Sequence, residues 1–271
     1  MRKLIRDCRV ALLVVMIALP VVALAQSSSR PTSGSDRLFL SFIEDATLVD
    51  NQWWEGQFEF ADLSSGDEQY IGRAIVAFQP WKNVELGGRV GFGKTDSSID
   101  ARDGNGATDL DVWGKYYFLT DPDLEFTVGG IATVPTGDET ALLGSDAFSL
   151  AGFGSARRRF EQVIVTAHVG ARFNGDGSRQ GPGGFAVADV DGKTSFFAGG
   201  GVLFPLSDEF TFVAEAELET KRFDGGDTDA RVLGGVSWRL TNRGMLRAGL
   251  ALGLTDGAPD GQLLVGYAAH F

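Results

Sequence analysis

Apolar and polar residues alternate with a period of two along most of this chain. In the last eleven residues, GQLLVGYAAHF, every second position from Leu263 to Phe271 is apolar, and this period is typical of a β-strand. The same texture begins at Gln52 and recurs in segments separated by breaks. Twelve segments can be counted, near residues 52–62, 69–79, 84–93, 108–119, 124–134, 146–156, 162–173, 193–204, 210–220, 229–240, 245–254 and 261–271.

The lengths of these segments and of their connections predict the fold class. Each segment approaches the roughly 9–11 residues that a tilted strand needs to cross a bilayer, whereas strands of globular proteins are mostly about five or six residues long. The breaks after even-numbered segments are short, as in PWKN and TNRG, and those after odd-numbered segments are long and polar, as in KTDSSIDARDGNGA. Outer-membrane barrels show this asymmetry, with short turns in the periplasm. We predict a twelve-stranded antiparallel up-and-down transmembrane β-barrel over residues 52–271, with both termini periplasmic.

The two faces of the segments differ in a way that suits a barrel. In the ninth segment Phe210, Phe212 and Ala214 share one face, whereas Glu215 and Glu217 share the other. A membrane barrel would turn the apolar face to lipid and the charged face to its lumen. A soluble sandwich would instead bury the apolar face and wet the charged one. Segment length and the sorting of the loops favour the membrane barrel.

The first 25 residues have the features of a secretory signal peptide. A cationic start precedes the apolar run ALLVVMIALPVVALA, which ends on a small-x-small pattern. A membrane-anchoring helix is the alternative, but the run is short and Pro20 interrupts it. Removal at Ala25 would leave 246 residues without cysteine, because Cys8 is the only one. Residues 26–51 then form a polar leader and a short amphipathic helix, which either stays in the periplasm or plugs the lumen.

Charge limits the partners. Without the signal peptide the chain has 20 basic and 35 acidic residues, a net charge of −15, which argues against a nucleic-acid partner. We expect outer-membrane lipid and lipopolysaccharide, the barrel-assembly machinery and a small-molecule solute as partners, and no cofactor or metal. The acidic loops DARDGNGATD and DGGDTD are either solvated turns or weak sites for divalent cations.

Charged side chains are predicted to line the lumen. The alternation turns Arg73, Arg89 and Lys115 inward on strands two to four, and Glu215, Glu217 and Glu219 inward on strand nine, half a circumference away. A basic arc facing an acidic arc would polarise the lumen and set ion selectivity. The alternative is local pairing, with Arg73 near Glu59 and Arg231 opposite Glu217 or Glu219, because buried charges need partners. His168 also faces inward, and no Ser/His/Asp spacing stands out, so we expect no enzymatic activity.

Aromatic residues mark the membrane rim. Trp238 and Tyr267 lie on outward faces near the periplasmic ends of their strands, where aromatic belts occur. Phe271 would end the strand that closes the barrel, and it resembles the C-terminal signal that the assembly machinery recognises. The chain would therefore stop where its last strand reaches the interface.

The stretch DLDVWGKYYFLTDPDLEFTVGGIATVPTGDE, residues 109–139, resembles the outer-membrane family associated with the MetA pathway of phenol degradation. The similarity rests on Gly114-Lys115-Tyr116 and on Val134-Pro135-Thr136-Gly137-Asp138. It implies a barrel that helps small aromatic or hydrophobic compounds across the outer membrane, without catalytic residues. The function predicted is a channel or uptake pore in the cell outer membrane. The alternative is a non-conducting barrel with a structural or adhesive role.

Overall fold

A computed structural model describes residues 37–49, 52–63, 66–97, 102–121, 123–180 and 187–270. The predicted signal peptide 1–25, the polar leader 26–36 and Phe271 lie outside the described residues. Within these ranges, no helix is long and apolar enough to cross a membrane.

The described part of the chain forms fifteen strands. They are β1 (Gln52–Asp62), β2 (Glu68–Trp81), β3 (Val84–Asp96), β4 (Gly104–Ala107), β5 (Leu110–Asp121), β6 (Leu124–Val134), β7 (Ser149–Arg159), β8 (Ile164–Asn174), β9 (Gly177–Gln180), β10 (Val187–Val190), β11 (Thr194–Pro205), β12 (Phe210–Glu219), β13 (Asp229–Arg239), β14 (Gly244–Gly253) and β15 (Gly261–His270).

Twelve of these strands close into one antiparallel barrel. The order around the ring is β1, β2, β3, β5, β6, β7, β8, β11, β12, β13, β14 and β15. The ring closes between β15 and β1, in a register that runs from Trp53 opposite His270 to Asp62 opposite Gly261. Strand β4 extends the line of β5 along β3, and β9 and β10 pair with each other in a long connection. Closure leaves no open edge, which a strand in hydrocarbon could not tolerate, and the predicted fold class is confirmed.

Connection lengths separate the two ends of the barrel. Short turns follow β2, β5, β7, β11 and β13, whereas the connections after β3, β6, β8 and β12 are longer. Because the strand number is even, the start of β1 and the end of β15 both lie at the end with the short turns. We call this end the turn end and the opposite one the loop end.

The alternation of side chains explains the two surfaces of the barrel. On β1, Trp53, Glu55 and Ala61 are buried, whereas Trp54 and Phe58 between them are exposed. Large apolar side chains are exposed on the outer face of many strands, among them Val76, Phe92, Val112, Val128, Val169, Phe196 and Val265. A belt of exposed aliphatic and aromatic groups is the surface that lipid tails require.

Residues 37–49 do not form the predicted amphipathic helix. The segment is a series of turns, with one backbone hydrogen bond from Asp45 N–H to the carbonyl of Ser41 at 2.9 Å. Its residues are buried, apart from Leu40, which is partly exposed. The apolar spacing misled the prediction because the barrel surrounds the segment. Apolar side chains can then pack in several directions, and wall side chains satisfy backbone groups that a helix would pair internally.

Candidate functional site

The turn-end half of the lumen is filled by residues 37–49, which we call the plug. Phe42 and Ile43 pack in a buried cluster with Trp53 and Trp113 of the wall. The ring centroids of Phe42 and Trp53 are 5.7 Å apart. A second cluster places Leu38 and Phe39 against wall residues that include Leu203. The apolar face of the plug is therefore matched to an apolar band on the inner wall.

Two inward-facing glycines make room for the plug. A Cβ at Gly201 would lie 2.7 Å from Leu38 Cδ2, and a Cβ at Gly235 would lie 3.0 Å from Phe39 Cε2. Both distances are shorter than ordinary carbon contacts. Larger side chains at these positions would collide with the plug, so the inner wall is shaped to the docked segment.

Glu215 on β12 binds the backbone of the plug. Its carboxylate accepts hydrogen bonds from the N–H groups of Phe39, Leu40 (2.9 Å) and Ser41 (3.3 Å). Three consecutive N–H groups thus converge on one carboxylate, which the sequence prediction had treated as a lumen charge for ions. The Glu215 carboxylate is therefore bound to the plug and does not face an open passage.

Arg247 on β14 holds the beginning of the plug. One guanidinium nitrogen lies 2.7 Å from the Glu55 carboxylate, and the other donates to the carbonyls of Arg37 (2.9 Å) and Leu38 (2.7 Å). The guanidinium carbon also lies 4.2 Å from the centroid of the Phe39 ring. The Arg247 and Glu55 side chains are only 2% and 0% exposed. The ion pair is therefore sealed beneath the segment it binds.

A third buried group joins β3 and β5 to the plug. Glu85 lies 3.0 Å from Lys115 Nζ, 3.3 Å from Arg37 Nη1 and 2.9 Å from the indole nitrogen of Trp113. Lys115 also donates to the carbonyls of Asp45 (3.2 Å) and Thr47 (3.0 Å). All these charges lie out of contact with bulk water and depend on one another for compensation.

Asp45 completes the attachment. Its carboxylate lies 3.1 Å from Arg157 of β7 and accepts the Leu38 N–H at 3.1 Å. The Thr127 hydroxyl of β6 donates to the carbonyl of Ala46. Contacts therefore reach the plug from strands spread around the ring, which defines a specific docked position rather than loose filling.

The loop-end half of the lumen is a solvent-accessible vestibule, lined by Glu59, Arg73, Arg89, Asp111, Arg172, Glu217, Glu219 and Arg231. The side chains of Arg73, Arg89 and Arg231 keep 25%, 26% and 23% of their surface exposed, whereas the ion pairs around the plug are at most 3% exposed. The lumen is thus open to solvent at one end and dry at the other.

The predicted basic and acidic arcs do not face each other as free charges. Arg73 pairs with Glu59 at 3.0 Å and Arg89 with Asp111 at 2.7 Å. Glu219 pairs with Arg172 at 3.0 Å, and Glu217 pairs with Arg231, its register partner, at 3.4 Å. Lys115 and Glu215 bind the plug. Local pairing, the alternative drawn from the sequence, describes these side chains, because a buried or half-buried charge is stabilised most by its nearest counter-charge. The effect of the two arcs on ion selectivity stays a prediction.

His168 faces the lumen from β8 and is 5% exposed. Its ring centroid lies 6.1 Å from that of Phe197. Ser155 is its register partner on β7. Among the described residues neither ring nitrogen nor the Ser155 hydroxyl has a hydrogen-bond partner, so the two do not form a nucleophile and base pair in this arrangement.

The connection between β6 and β7 leans into the mouth of the barrel. Its carbonyls at Ala141 and Leu142 accept hydrogen bonds from Thr95 and from Gln69, the latter at 2.9 Å. Leu143 is buried in a small cluster with Ala141 and the wall residue Ile71. Residues 134–138, part of the family-like stretch, run from the end of β6 into the start of this connection, and they therefore lie at the entrance.

Asp109 fixes the same connection. Its carboxylate accepts the Gly137 N–H at 3.0 Å, and the N–H and hydroxyl of Ser145 at 3.1 and 3.2 Å. Beside it an open polar hollow of about 520 Å³ is lined by residues 106–107 and 136–140. In this hollow the Asp138 carboxylate accepts hydrogen bonds from the turn that follows it. Hydrogen bonds from the hydroxyl and backbone of Thr140 and from the backbone of Ala141 hold the pKa of its carboxyl below the usual range.

Two pairs of outward aromatic residues lie near the turn end. Trp238 is stacked on Phe210 with centroids 5.5 Å apart, and Tyr267 lies 5.8 Å from Trp54. Trp54, Trp238 and Tyr267 are about two-fifths exposed, at 41%, 41% and 38%. Exposed amphipathic rings at one end of the belt suit the membrane interface.

The sequence prediction missed the groups that hold the plug, namely Glu55, Glu85, Arg157, Arg247 and Asp45. The alternation of each strand would have turned Glu55, Glu85 and Arg247 inward near the turn end, and Asp45 lies beside Glu44 in a stretch that is mostly apolar. The sequence prediction had no reason to place residues 37–49 against these inward side chains. The number and signs of the inward charges near the turn end could have given that reason, because buried charges at the same height in the lumen require partners.

Comparison with solved structures places this barrel among known ones. The KdgM porin superposes with a TM-score of 0.56 at 12% identity, over 81% of this chain and 99% of the porin. The NanC porin superposes with a TM-score of 0.55 at 11% identity, over 81% of this chain and 100% of the porin. The β domain of the Bordetella autotransporter Brka superposes with a TM-score of 0.50 at 15% identity, over 82% of this chain and 99% of that domain. At such identities the likeness shows the fold alone. No protein-family model and no curated protein matches the chain, so the resemblance to the phenol-degradation family stays a prediction.

Proposed function

We propose that the protein is an outer-membrane uptake pore for small solutes, entered from the cell surface and closed on the periplasmic side by its own plug. The loop end then faces outward and the turn end inward, as in other outer-membrane barrels. The observation that carries the proposal is the division of the lumen into a solvent-accessible vestibule and a dry half that residues 37–49 seal. The likeness to the KdgM and NanC porins supports a channel role.

Passage through this pore requires the plug to leave its docked position. The inner wall keeps its own ion pairs Arg247–Glu55 and Lys115–Glu85 when the plug leaves, so an emptied lumen would remain charged and would fill with water. Such a lining suits a polar passage. Small aromatic or hydrophobic solutes are the class that the resemblance over residues 109–139 supports, and the wall residues Trp53 and Trp113 would offer them aromatic rings beneath the vestibule once the plug has left.

A cysteine pair tests the proposal. Thr127 donates to the carbonyl of Ala46, so Ala46→Cys with Thr127→Cys puts one thiol on the plug and one on the adjoining wall, in a chain whose only other cysteine, Cys8, lies in the predicted signal peptide. In planar bilayers the reduced protein should show channel openings, and oxidation should abolish them until a reductant is added. Each single variant, treated in the same way, is the control for effects of oxidation elsewhere.

A non-conducting barrel with a structural or adhesive role is the second candidate. The filled turn-end half of the lumen is the observation that favours it. Absence of current from the reduced cysteine pair, in protein that is folded and inserted, would support this candidate and refute the pore.

A further inference from the structure

The plug carries one carboxylate, that of Glu44, which forms no ion pair with the wall in the described part of the chain. Glu44 is 7% exposed and lies in the electrostatic field of Glu217 on β12, Arg89 on β3 and Arg172 on β8. Strands β3 and β12 are opposite each other in the ring. A group that interacts with both walls and with β8 is close to the barrel axis, so Glu44 forms the floor of the vestibule.

The neighbouring guanidinium groups are already engaged. Arg89 makes two hydrogen bonds to Asp111, at 3.0 and 2.7 Å, and Arg172 donates to Glu219 at 3.0 Å. Within the described part of the chain, the Glu44 carboxylate makes no ion pair at salt-bridge distance and no hydrogen bond to another residue. The wall therefore balances its own charges and leaves this carboxylate without a counter-charge.

The pKa of Glu44 reflects the same deficit. Burial, with a smaller contribution from the negative charge of Glu217, raises the pKa of this carboxyl to about 7, although Arg89 and Arg172 act in the opposite direction. An acid whose charge is poorly compensated gains from a nearby cation, which would restore its ordinary ionisation. Either a proton or a cation that reaches the vestibule floor can therefore neutralise this carboxylate.

We propose that Glu44 is the binding point for a cationic group, an alkylammonium carried by a small organic solute that enters the vestibule from the loop end. This inference rests on the proposed pore and names the class of solute that its vestibule selects. An ammonium offers three donors and a compact charge, which fits a single carboxylate at the end of a solvent-accessible shaft. The paired side chains above it provide both signs of charge and so admit the solute without retaining it. A carboxylate solute would be repelled by the negative charges of Glu44 and Glu217, and a neutral solute would not compensate the charge of Glu44.

Binding of simple probes to the folded full-length protein tests the inference. At low ionic strength and pH 8, isothermal titration with 1,4-diaminobutane should show saturable binding, and titration with 1,4-butanediol or succinate should show none. Glu44→Gln, which keeps the shape of the side chain, should weaken diamine binding at least tenfold. Glu161→Gln is the matched control, because it makes the same change on an exposed turn at the other end of the barrel, and it should bind as the parent does.

Two further measurements keep the test decisive. Glu44→Asp retains the charge and should retain measurable diamine binding, which a purely structural effect of altering the plug would not produce. Heat-modifiable mobility in electrophoresis verifies that each variant is a folded barrel. Equal diamine binding by the parent and by Glu44→Gln would overturn the inference, as would saturable binding of calcium chloride without binding of the diamine.

The outcomes separate this inference from the proposed pore. If the cysteine pair gates a current while Glu44→Gln binds the diamine normally, the pore stands and the cation site falls. If no current is found but diamine binding depends on Glu44, the site exists on a barrel that does not conduct, and the uptake role falls.

Discussion

Replacing Arg247 by methionine should release the plug without unfolding the barrel. The change removes two hydrogen bonds to the Arg37 and Leu38 carbonyls, at 2.9 and 2.7 Å, and it removes the counter-charge of Glu55. Methionine keeps much of the apolar stem, so packing changes little. The effect falls on the docked state in particular, because water can solvate Glu55 once the plug has left.

The magnitude follows from the burial of the pair. Leaving one member of a buried ion pair uncompensated costs about 3–5 kcal/mol, and a hydrogen bond to a charged group contributes about 1.5–3 kcal/mol. These contributions overlap, so we take about 3 kcal/mol as the lower bound for the loss of docking free energy. Since about 1.4 kcal/mol corresponds to a factor of ten, the undocked fraction should rise at least about a hundredfold.

Modification of a buried thiol measures that fraction. Ala46→Cys places a thiol at a position that is fully buried in the docked plug, so a thiol reagent reacts only after the plug opens. Adding Arg247→Met should raise the reaction rate at least about a hundredfold, in line with the docking free energy lost. Adding Glu55→Gln as well should bring the rate partway back, because it removes the uncompensated charge but not the loss of the carbonyl contacts.

Arg73→Met is the matched control, since Arg73 pairs with Glu59 in the vestibule and contacts no residue of the plug in the described interactions. It should leave the rate unchanged. An unchanged rate in the Arg247→Met variant, with heat-modifiable mobility intact, would refute the reasoning that this buried pair holds the plug.

Further predictions concern pH, topology and assembly. Because the pKa of Glu44 is raised to about 7, the docked plug favours the protonated acid. This contribution to docking is fully present below the ordinary carboxyl pKa near 4.5 and is lost as the pH rises through 7. The thiol rate of the Ala46→Cys protein, corrected for thiolate content with an exposed cysteine, should therefore increase between pH 5 and 8, and Glu44→Gln should flatten the rise. Protease added to intact cells should cut within residues 94–107 or 174–192, and cuts confined to residues 80–83 or 241–244 would reverse the proposed orientation. A charged residue in place of Phe271 should impair insertion, measured as the membrane-inserted fraction, and insertion at the parent level would contradict its role as an assembly signal.

Alternation, segment length and the sorting of the connections together determined the barrel. Strands that cross a bilayer must be long, must present one apolar face and must close on themselves, so the period of two, the segment lengths and the sorting of the connections specify twelve strands and their inward faces. The alternation also placed Arg231 opposite Glu217 or Glu219 on the neighbouring strand, because it turns these side chains to the same face, and the register of β12 with β13 selects Glu217. These features depend on residues close in sequence, or on a closure that admits few alternatives.

Only the tertiary structure decided what occupies the lumen. Glu215, Arg247 and Lys115 lie 68 to 210 positions away in sequence from the backbone groups they bind in the plug, and no periodic pattern encodes such contacts. The apolar spacing of residues 38–49 is as compatible with a helix as with a segment enclosed by a wall, because burial on all sides removes the need for a single apolar face. For the same reason Glu44 had no visible role in the sequence. Its importance arises from where the docked plug places it, on the floor of a vestibule whose other charges have already found their partners.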